Sequence, residues 1–299
     1  MTFSLRLHKE FSGIAVIAND GGFLFEEPFF PEDSYQNLLR QISNITTNLS
    51  DEHKSQARLG LCVTDLTYSS DGAITSGAFP CLSNMPLFRD LQAATGLSCI
   101  LGNDAQCLAL GSLSKPDESL FSLIIDEELS GAIVTHGTLL RGRNQHAGQI
   151  GHTTLPFPVP YELDGRMCAC GRTGCLTHFI SLSGIEEDYR QLTNTTRTAD
   201  EIISAAVAGD IIADSVIQVL EDRIARALSP VINLLDPDRI IISGRCADKD
   251  RLPAILPRKW PGYVIANKPA TEITVLPDRH KTCLRGVARL SGHQRHYSA

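Results

Sequence analysis

The sequence predicts an α/β protein of two domains, each built on a mostly parallel sheet, with a metal-binding loop in the second half. Three observations lead there. The chain has 299 residues, and one domain per ~150 residues gives two. Short apolar runs alternate with helical patterns, the pattern of strands joined by crossover helices. Between His152 and Cys175, one His and three Cys collect in a single stretch.

The elements follow in order. Gly13–Ala18 and Phe23–Glu27 read as two strands of a hairpin turned by Asn19-Asp20-Gly21-Gly22. Pro31-Glu32-Asp33-Ser34 opens a helix that runs to about Asn48. Ala57–Val63 is a short apolar strand. Met85-Pro86 starts a helix that Gly96 ends. Ser98–Leu101 is a strand running into Asn103-Asp104 and a further helix. Leu120–Ile125 and Ala132–Thr135 are strands joined across Asp126–Gly131. Thr198-Ala199-Asp200-Glu201 is a capping box ahead of Ile202–Ala208. Asp210–Leu235 is a long helical pattern in which Pro230 predicts a kink or break. Ile240–Ile242 and Ile273–Leu276 are the last strands, and Cys283–Ser291 the last helix. The first strand thus begins about a dozen residues into the chain. The Gly, Ser and Pro content of Ser112–Pro116 marks a boundary.

Composition narrows the class. Net charge is −7, and an acidic chain lacks the clustered Lys and Arg of a nucleic-acid footprint. No 18-residue apolar run is present, so no membrane partner is expected. Met1–Lys9 lacks the apolar core of a signal peptide, so we expect a cytoplasmic protein. Cys62, Cys81, Cys99, Cys107, Cys246 and Cys283 are scattered, and we expect them to be buried free thiols.

Cys168, Cys170 and Cys175 differ from those six. They fall within eight residues, and Gly171 and Gly174 allow the tight turns such a loop needs. His152 lies sixteen residues before Cys168. Three thiolates and one imidazole suit tetrahedral Zn²⁺ and form a closed structural set with no open position for a catalytic water.

The same residues carry a family resemblance. Cys168-x-Cys-Gly-x-x-Gly-Cys-Leu176, preceded by Ala147-Gly-x-x-Gly-His152, resembles the signature of the ROK family of bacterial sugar kinases and sugar-responsive repressors. Gly102-Asn103-Asp104-Ala105 resembles its Asn-Asp-Ala catalytic segment, and Gly137–Asn144 the approach to its sugar loop. Leu182–Gly184, Asp188–Arg190, Glu221–Arg223, Asn233–Asp238 and Arg285-Gly286 are similar to the N-acetylglucosamine kinase and fructokinase branch. The resemblance implies a two-domain, actin-like (RNase H-like) sugar kinase fold with the active site in the cleft. We expect an N-terminal domain over 1–112 joined by a C-terminal helix 283–299. The second domain, 113–282, would carry zinc loop 152–175. The resemblance makes Asp104 the general base for a sugar hydroxyl. Asn103, Asp104, Gln149, His152 and Thr177 become sugar-binding candidates, with His152 also a zinc ligand. Homodimers are expected.

Departures from the family pattern shape the functional expectation. Where the family has Asp-x-Gly-Gly-Thr-Lys at its first phosphate loop, an ungapped alignment places Arg6-Leu7-His8-Lys9-Glu10-Phe11. Where the second loop is glycine-rich, Asp126-Glu127-Glu128 puts three carboxylates, which repel a nucleotide by roughly 1 to 4 kcal/mol each. The adenosine-side Gly-Gly-Gly is Ser243-Gly244-Arg245, the family's Glu-x-Gly-His is Gln149-Ile150-Gly151-His152, and the Glu after Cys-Leu is Thr177. These changes predict an impaired or inactive kinase homologue that binds a sugar or a protein. An active hexose or N-acetylhexosamine kinase using Mg·ATP is the alternative. A regulator lacking its DNA-binding domain is the second alternative.

Overall fold

The computed structural model describes residues 1–53, 57–68, 74–163, 166–266 and 268–290. The chain divides into two compact units, one of residues 1–116, 137–147 and 279 onward, the other of 117–136 and 148–278. Each carries an α/β sheet, as the alternation predicts.

In the first unit, β1 (Thr2–Leu7), β2 (Ser12–Ile17) and β3 (Phe23–Phe29) form an antiparallel meander. β4 (Arg58–Val63) pairs parallel with β1. A two-stranded ribbon of β5 (Leu66–Tyr68) and β6 (Ile74–Ser76) follows β4. β7 (Cys99–Asn103) pairs parallel with β4, so the sheet order is β3-β2-β1-β4-β7. Helices α1 (Tyr35–His53) and α2 (Leu87–Thr95) bury Leu38, Ile42, Leu87 and Leu91 with the sheet residues Phe3, Leu5, Leu59 and Leu61. Gly96 closes α2 in the left-handed conformation, as its position predicts.

β1 is a correction. The first strand is expected at Gly13, yet Phe3, Leu5 and Leu7 already alternate with Thr2, Ser4 and Arg6 in the strand period. Both faces are buried, because the unit covers the sheet on each side.

α3 (Asp104–Gly111) follows β7 directly, and α8 (His280–Arg289) packs across it. Two glycines set their approach. A Cβ on Gly111 would lie 1.9 Å from the Thr282 carbonyl oxygen, and one on Gly286 would lie 1.8 Å from that of Cys107. Gly286→Ala is therefore expected to force the helices apart and to cost about 1 to 3 kcal/mol or more, read as a lower urea midpoint at unchanged slope.

In the second unit, β8 (Leu120–Ile125) pairs antiparallel with β9 (Leu129–Thr135) and parallel with β11 (Arg239–Ser243), which pairs parallel with β12 (Glu272–Leu276). A short β10 (Thr138–Leu140) follows β9 in the chain and falls in the first unit. Helices α4 (Leu182–Thr193), α5 (Ala199–Val207), α6 (Ile211–Leu235) and α7 (Arg251–Lys259) complete the unit around Phe121, Ile224, Leu228 and Trp260. The capping box of Thr198 and Glu201 forms as predicted.

Pro230 does not end α6, which runs unbroken to Leu235. A proline leaves the carbonyl four residues earlier without its amide donor. The Ser229 hydroxyl supplies a substitute, donating to the Arg226 carbonyl at 2.8 Å. Of the predicted last helix, Cys283–Arg289 lies in α8, which starts earlier, at His280. Ser291 lies outside the described residues. Among the described residues no single helix is long and apolar enough to cross a membrane.

Candidate functional site

Asp104 sits where β7 ends and α3 begins. Asn103 is the N-cap of α3, its side-chain oxygen accepting from the Gln106 amide at 2.9 Å while Gln106 accepts from the Asn103 amide at 3.2 Å. Strand register then decides what surrounds Asp104. Arg6 on β1 pairs with Cys62 on β4, and Cys62 with Gly102 on β7. These three chain positions converge on the carboxylate.

Four donors occupy that carboxylate. Oδ1 accepts from Arg6 Nε at 3.1 Å and from the Cys62 thiol at 3.0 Å. Oδ2 accepts from Arg6 Nη2 at 3.5 Å and from the Thr64 hydroxyl at 2.8 Å. Arg279 Nη2 stands 3.9 Å away. Asp104 is 4% exposed and Arg6 3%. Burial by itself would raise the carboxyl's pKa, but the charges of Arg6 and Arg279 and the Cys62 hydrogen bond outweigh it and hold the group well below the usual carboxylate range. A carboxylate so held is a poor proton acceptor, because accepting a proton would forfeit the ion pair.

Further groups close the shell. Cys283 lies within 4.8 Å of the Cys62 thiol and the Asp104 carboxylate. Burial pushes the Cys62 and Cys283 thiols well above their ordinary range, so both stay protonated. His280 Nδ1 lies 3.3 Å from Arg6 Nη1, and its ring fits against Gly13, where a Cβ would come within 2.6 Å of it. Burial and the neighbouring Arg6 charge lower the pKa of His8. By the family pattern Arg6 falls at the first phosphate loop, and nothing in the sequence connects it to Asp104. A charge reversal where the family has an acid was the available signal. Of the six scattered cysteines, five are buried and Cys81 is half-buried.

The second unit brings the predicted metal ligands together. His152 ends a 3-10 turn (Ile150–His152), and Cys175 precedes another (Leu176–His178). Isolated bridges pair Thr154 with Cys175 and Met167 with Thr173. Gly171 and Gly174 take φ values of +82° and +77°, the left-handed turns expected of them. One ligand atom from each of His152, Cys168, Cys170 and Cys175 lies within 4.8 Å of all the others. Cys168 Sγ is 3.6 Å from His152 Nδ1, and Cys170 Sγ is 3.6 Å from Cys175 Sγ. Tetrahedral zinc with bonds of about 2.3 Å to sulfur and 2.05 Å to nitrogen requires edges of about 3.8 Å and 3.6 Å. The donor set and its spacing fit the ion.

A buried ion-pair network supports this loop. Arg166, whose carbonyl accepts from the Gly174 amide at 3.0 Å, reaches Asp188 on α4 at 2.6 Å. Arg223 on α6 joins Asp188 to Glu162, which also pairs with Arg226 at 2.9 Å. Burial opposes ionisation of Glu162, but hydrogen bonds from Arg226 and Arg223 pull its pKa down to about 2. None of these residues stood out in the sequence as more than a family resemblance.

The remaining sugar-binding candidates have local roles. Thr177 is buried, and its hydroxyl accepts from the Leu129 amide at 3.0 Å. Gln149 is half-buried beside the 3-10 turn of His152. The acidic turn after β8 is tied to the turn after β11. The Arg245 amide donates to Asp126 Oδ1 at 2.7 Å, and its guanidinium pairs with Glu127 at 2.6 Å and Asp200 at 3.3 Å.

Comparisons with known proteins agree with this fold. A sequence profile of the ROK family matches residues 9–293. An N-acetyl-D-glucosamine kinase of Vibrio atlanticus is 27% identical over 269 residues, which span 87% of this chain and 89% of that protein. The ROK hexokinase of Thermus thermophilus superimposes with a TM-score of 0.83 at 21% identity, covering 96% of both chains. A ROK glucokinase of Streptomyces griseus, solved with glucose and AMPPNP, gives 0.73 at 19%, covering 96% of this chain and 97% of that one. The fold is the actin-like sugar kinase fold.

Proposed function

The chain belongs to the ROK family, and from that premise we propose a sugar-kinase homologue impaired in phosphoryl transfer that acts by binding a sugar or a protein partner. The observation that carries this reading is the buried pair of Arg6 and Asp104. The residue in the position of the general base is ion-paired, buried and fully supplied with donors, so a sugar hydroxyl finds no free lone pair there.

The donor side supports the same reading. By the family resemblance, Asp126, Glu127 and Glu128 match the glycine loop that cradles phosphates, and Arg245 is committed to Glu127 and Asp200. Phosphoryl transfer depends on positioning and charge neutralisation, and both are weakened by these substitutions. Of the sugar-binding candidates, Asn103 lies in the first unit, and Gln149 and His152 lie in the second. Zinc held by His152, Cys168, Cys170 and Cys175 would have a structural role, fixing the loop that presents His152 Nε2. All nine cysteines are free, which fits a reducing cytoplasm.

The active-kinase reading, with Mg·ATP as phosphoryl donor, is favoured by the retention of Asp104 and by relatives named N-acetyl-D-glucosamine kinase. Calorimetric titration of Mg·ATP, with and without N-acetylglucosamine, separates the two. We expect no heat from Mg·ATP in folded protein, whether or not the sugar is present. Micromolar ATP affinity strengthened by the sugar, with formation of a sugar phosphate, would overturn the impaired reading.

A further inference from the structure

The parallel strands of the first sheet carry Asp104 at their C-terminal edge. At the opposite edge, where β1, β4 and β7 begin, lies a cavity of about 860 Å³. Its wall takes Thr2 and Arg58 from the strand starts, Ser98 from the approach to β7, Asn19 and Asp20 from the hairpin turn, and Arg285 and Arg289 from α8. The volume is that of a small-molecule site. None of these residues belongs to the Asp104 shell or to the metal loop.

The charge is what sets this cavity apart in an acidic chain. Three arginines line it with one carboxylate, Asp20. Among the described residues none of the three arginines forms an ion pair. The hydrogen bonds of Arg58 and Arg289 go to neutral acceptors, which do not offset the guanidinium charge. Arg58 Nε donates to the Thr2 hydroxyl at 3.1 Å, and its Nη2 donates to the Ala288 carbonyl. Arg289 Nη1 donates to the Leu110 and Leu113 carbonyls at 2.9 and 3.0 Å. Arg285, one turn from Arg289 on the same face of α8, lies over the Phe23 ring at 5.0 Å. The Arg58 and Arg289 guanidinium groups are held in place before a ligand arrives, which lowers the ordering cost of binding.

Guanidinium forks match the oxygens of a phosphate in pairs. The rest of the wall selects what the phosphate is attached to. Thr2, Asn19, Asp20 and Ser98 offer hydroxyl, amide and carboxylate groups, which suit a polyol. Among the described residues no aromatic side chain lines the cavity, so they offer a nucleotide base no stacking surface.

We propose that this cavity is a binding site for a phosphorylated polyol of sugar-phosphate size, separate from the candidate kinase site. The inference does not depend on whether phosphoryl transfer occurs. It is tested on the full chain by calorimetric titration of glucose 6-phosphate, inorganic phosphate and glucose. Glucose 6-phosphate is expected to bind more tightly than inorganic phosphate, with affinity falling as salt rises. Arg285→Gln, at an exposed residue outside the core, is expected to weaken that binding about ten-fold or more. Arg285→Lys should recover part of it, and Arg89→Gln on α2 should leave it unchanged. Glucose binding, if it occurs at the other site, should be the same in all variants. No binding of glucose 6-phosphate, equal binding of inorganic phosphate, or binding indifferent to Arg285→Gln would each overturn the proposal.

Discussion

Asp104→Asn is expected to destabilise the first unit by roughly 3 to 5 kcal/mol, the cost of removing one partner from a buried ion pair. The substitution leaves Arg6 charged at 3% exposure and removes the carboxylate it pairs with. At about 2 to 4 °C per kcal/mol, the unfolding temperature should fall by at least about 6 °C. A free catalytic base would behave otherwise, since its charge is exposed to substrate and its removal costs little stability. Replacing both partners together, as Arg6→Met with Asp104→Leu, should recover much of the loss, because no charge is then stranded.

The pH dependence gives a second readout. The folded-state pKa of Asp104 lies below its ordinary value of 3.8. The pair therefore contributes stability that is fully present above that value and is lost as the pH falls below it. Wild type should lose stability on acidification across this range, and Asp104→Asn should lose less. An Asp104→Asn protein as stable as wild type at neutral pH would show that Arg6 does not hold the carboxylate, and would return Asp104 to the role of base.

Cys175→Ser is expected to have the other large effect. Cys175 and Cys168 are buried, and the four ligand atoms converge within 4.8 Å. Structural zinc contributes roughly 10 to 16 kcal/mol in small zinc-folded domains. A unit with its own core depends on it less, so the loss should be several kcal/mol. Elemental analysis of freshly purified wild type should find one zinc per chain, and the variant none. Cobalt loaded in its place should give a thiolate charge-transfer band that disappears in the variant. Purified wild-type protein without metal, and equally stable with a chelator present, would sink the zinc reading.

The two sites differ in how legible they were. The tetrad of one imidazole and three thiols lies in 24 consecutive residues, 152 to 175, and ligand type, spacing and glycine placement are all local properties of the chain. The hairpin turn, the Thr198 capping box and the Gly96 helix end were legible for the same reason. Each is decided by side chains within a few positions of the backbone groups they satisfy. The fold class followed from alternation of periods, which is also local, and from the family motifs.

Arg6 and Asp104 are 98 residues apart, and Cys283 is 179 residues from Asp104. No spacing rule links them. Only the parallel register of β1, β4 and β7, together with the crossing of α3 and α8 permitted by Gly111 and Gly286, brings them into contact. The same holds for the arginine-lined cavity, whose three guanidinium groups come from the start of β4 and the end of α8. The sequence by itself determined most of the elements, the family and the grouping of the candidate metal ligands, because those depend on near neighbours in the chain. The tertiary structure decided that a residue read as a catalytic base is buried in an ion pair. Its pKa depends on which charges the packed sheet sets within a few ångströms, and the order of residues does not state that distance.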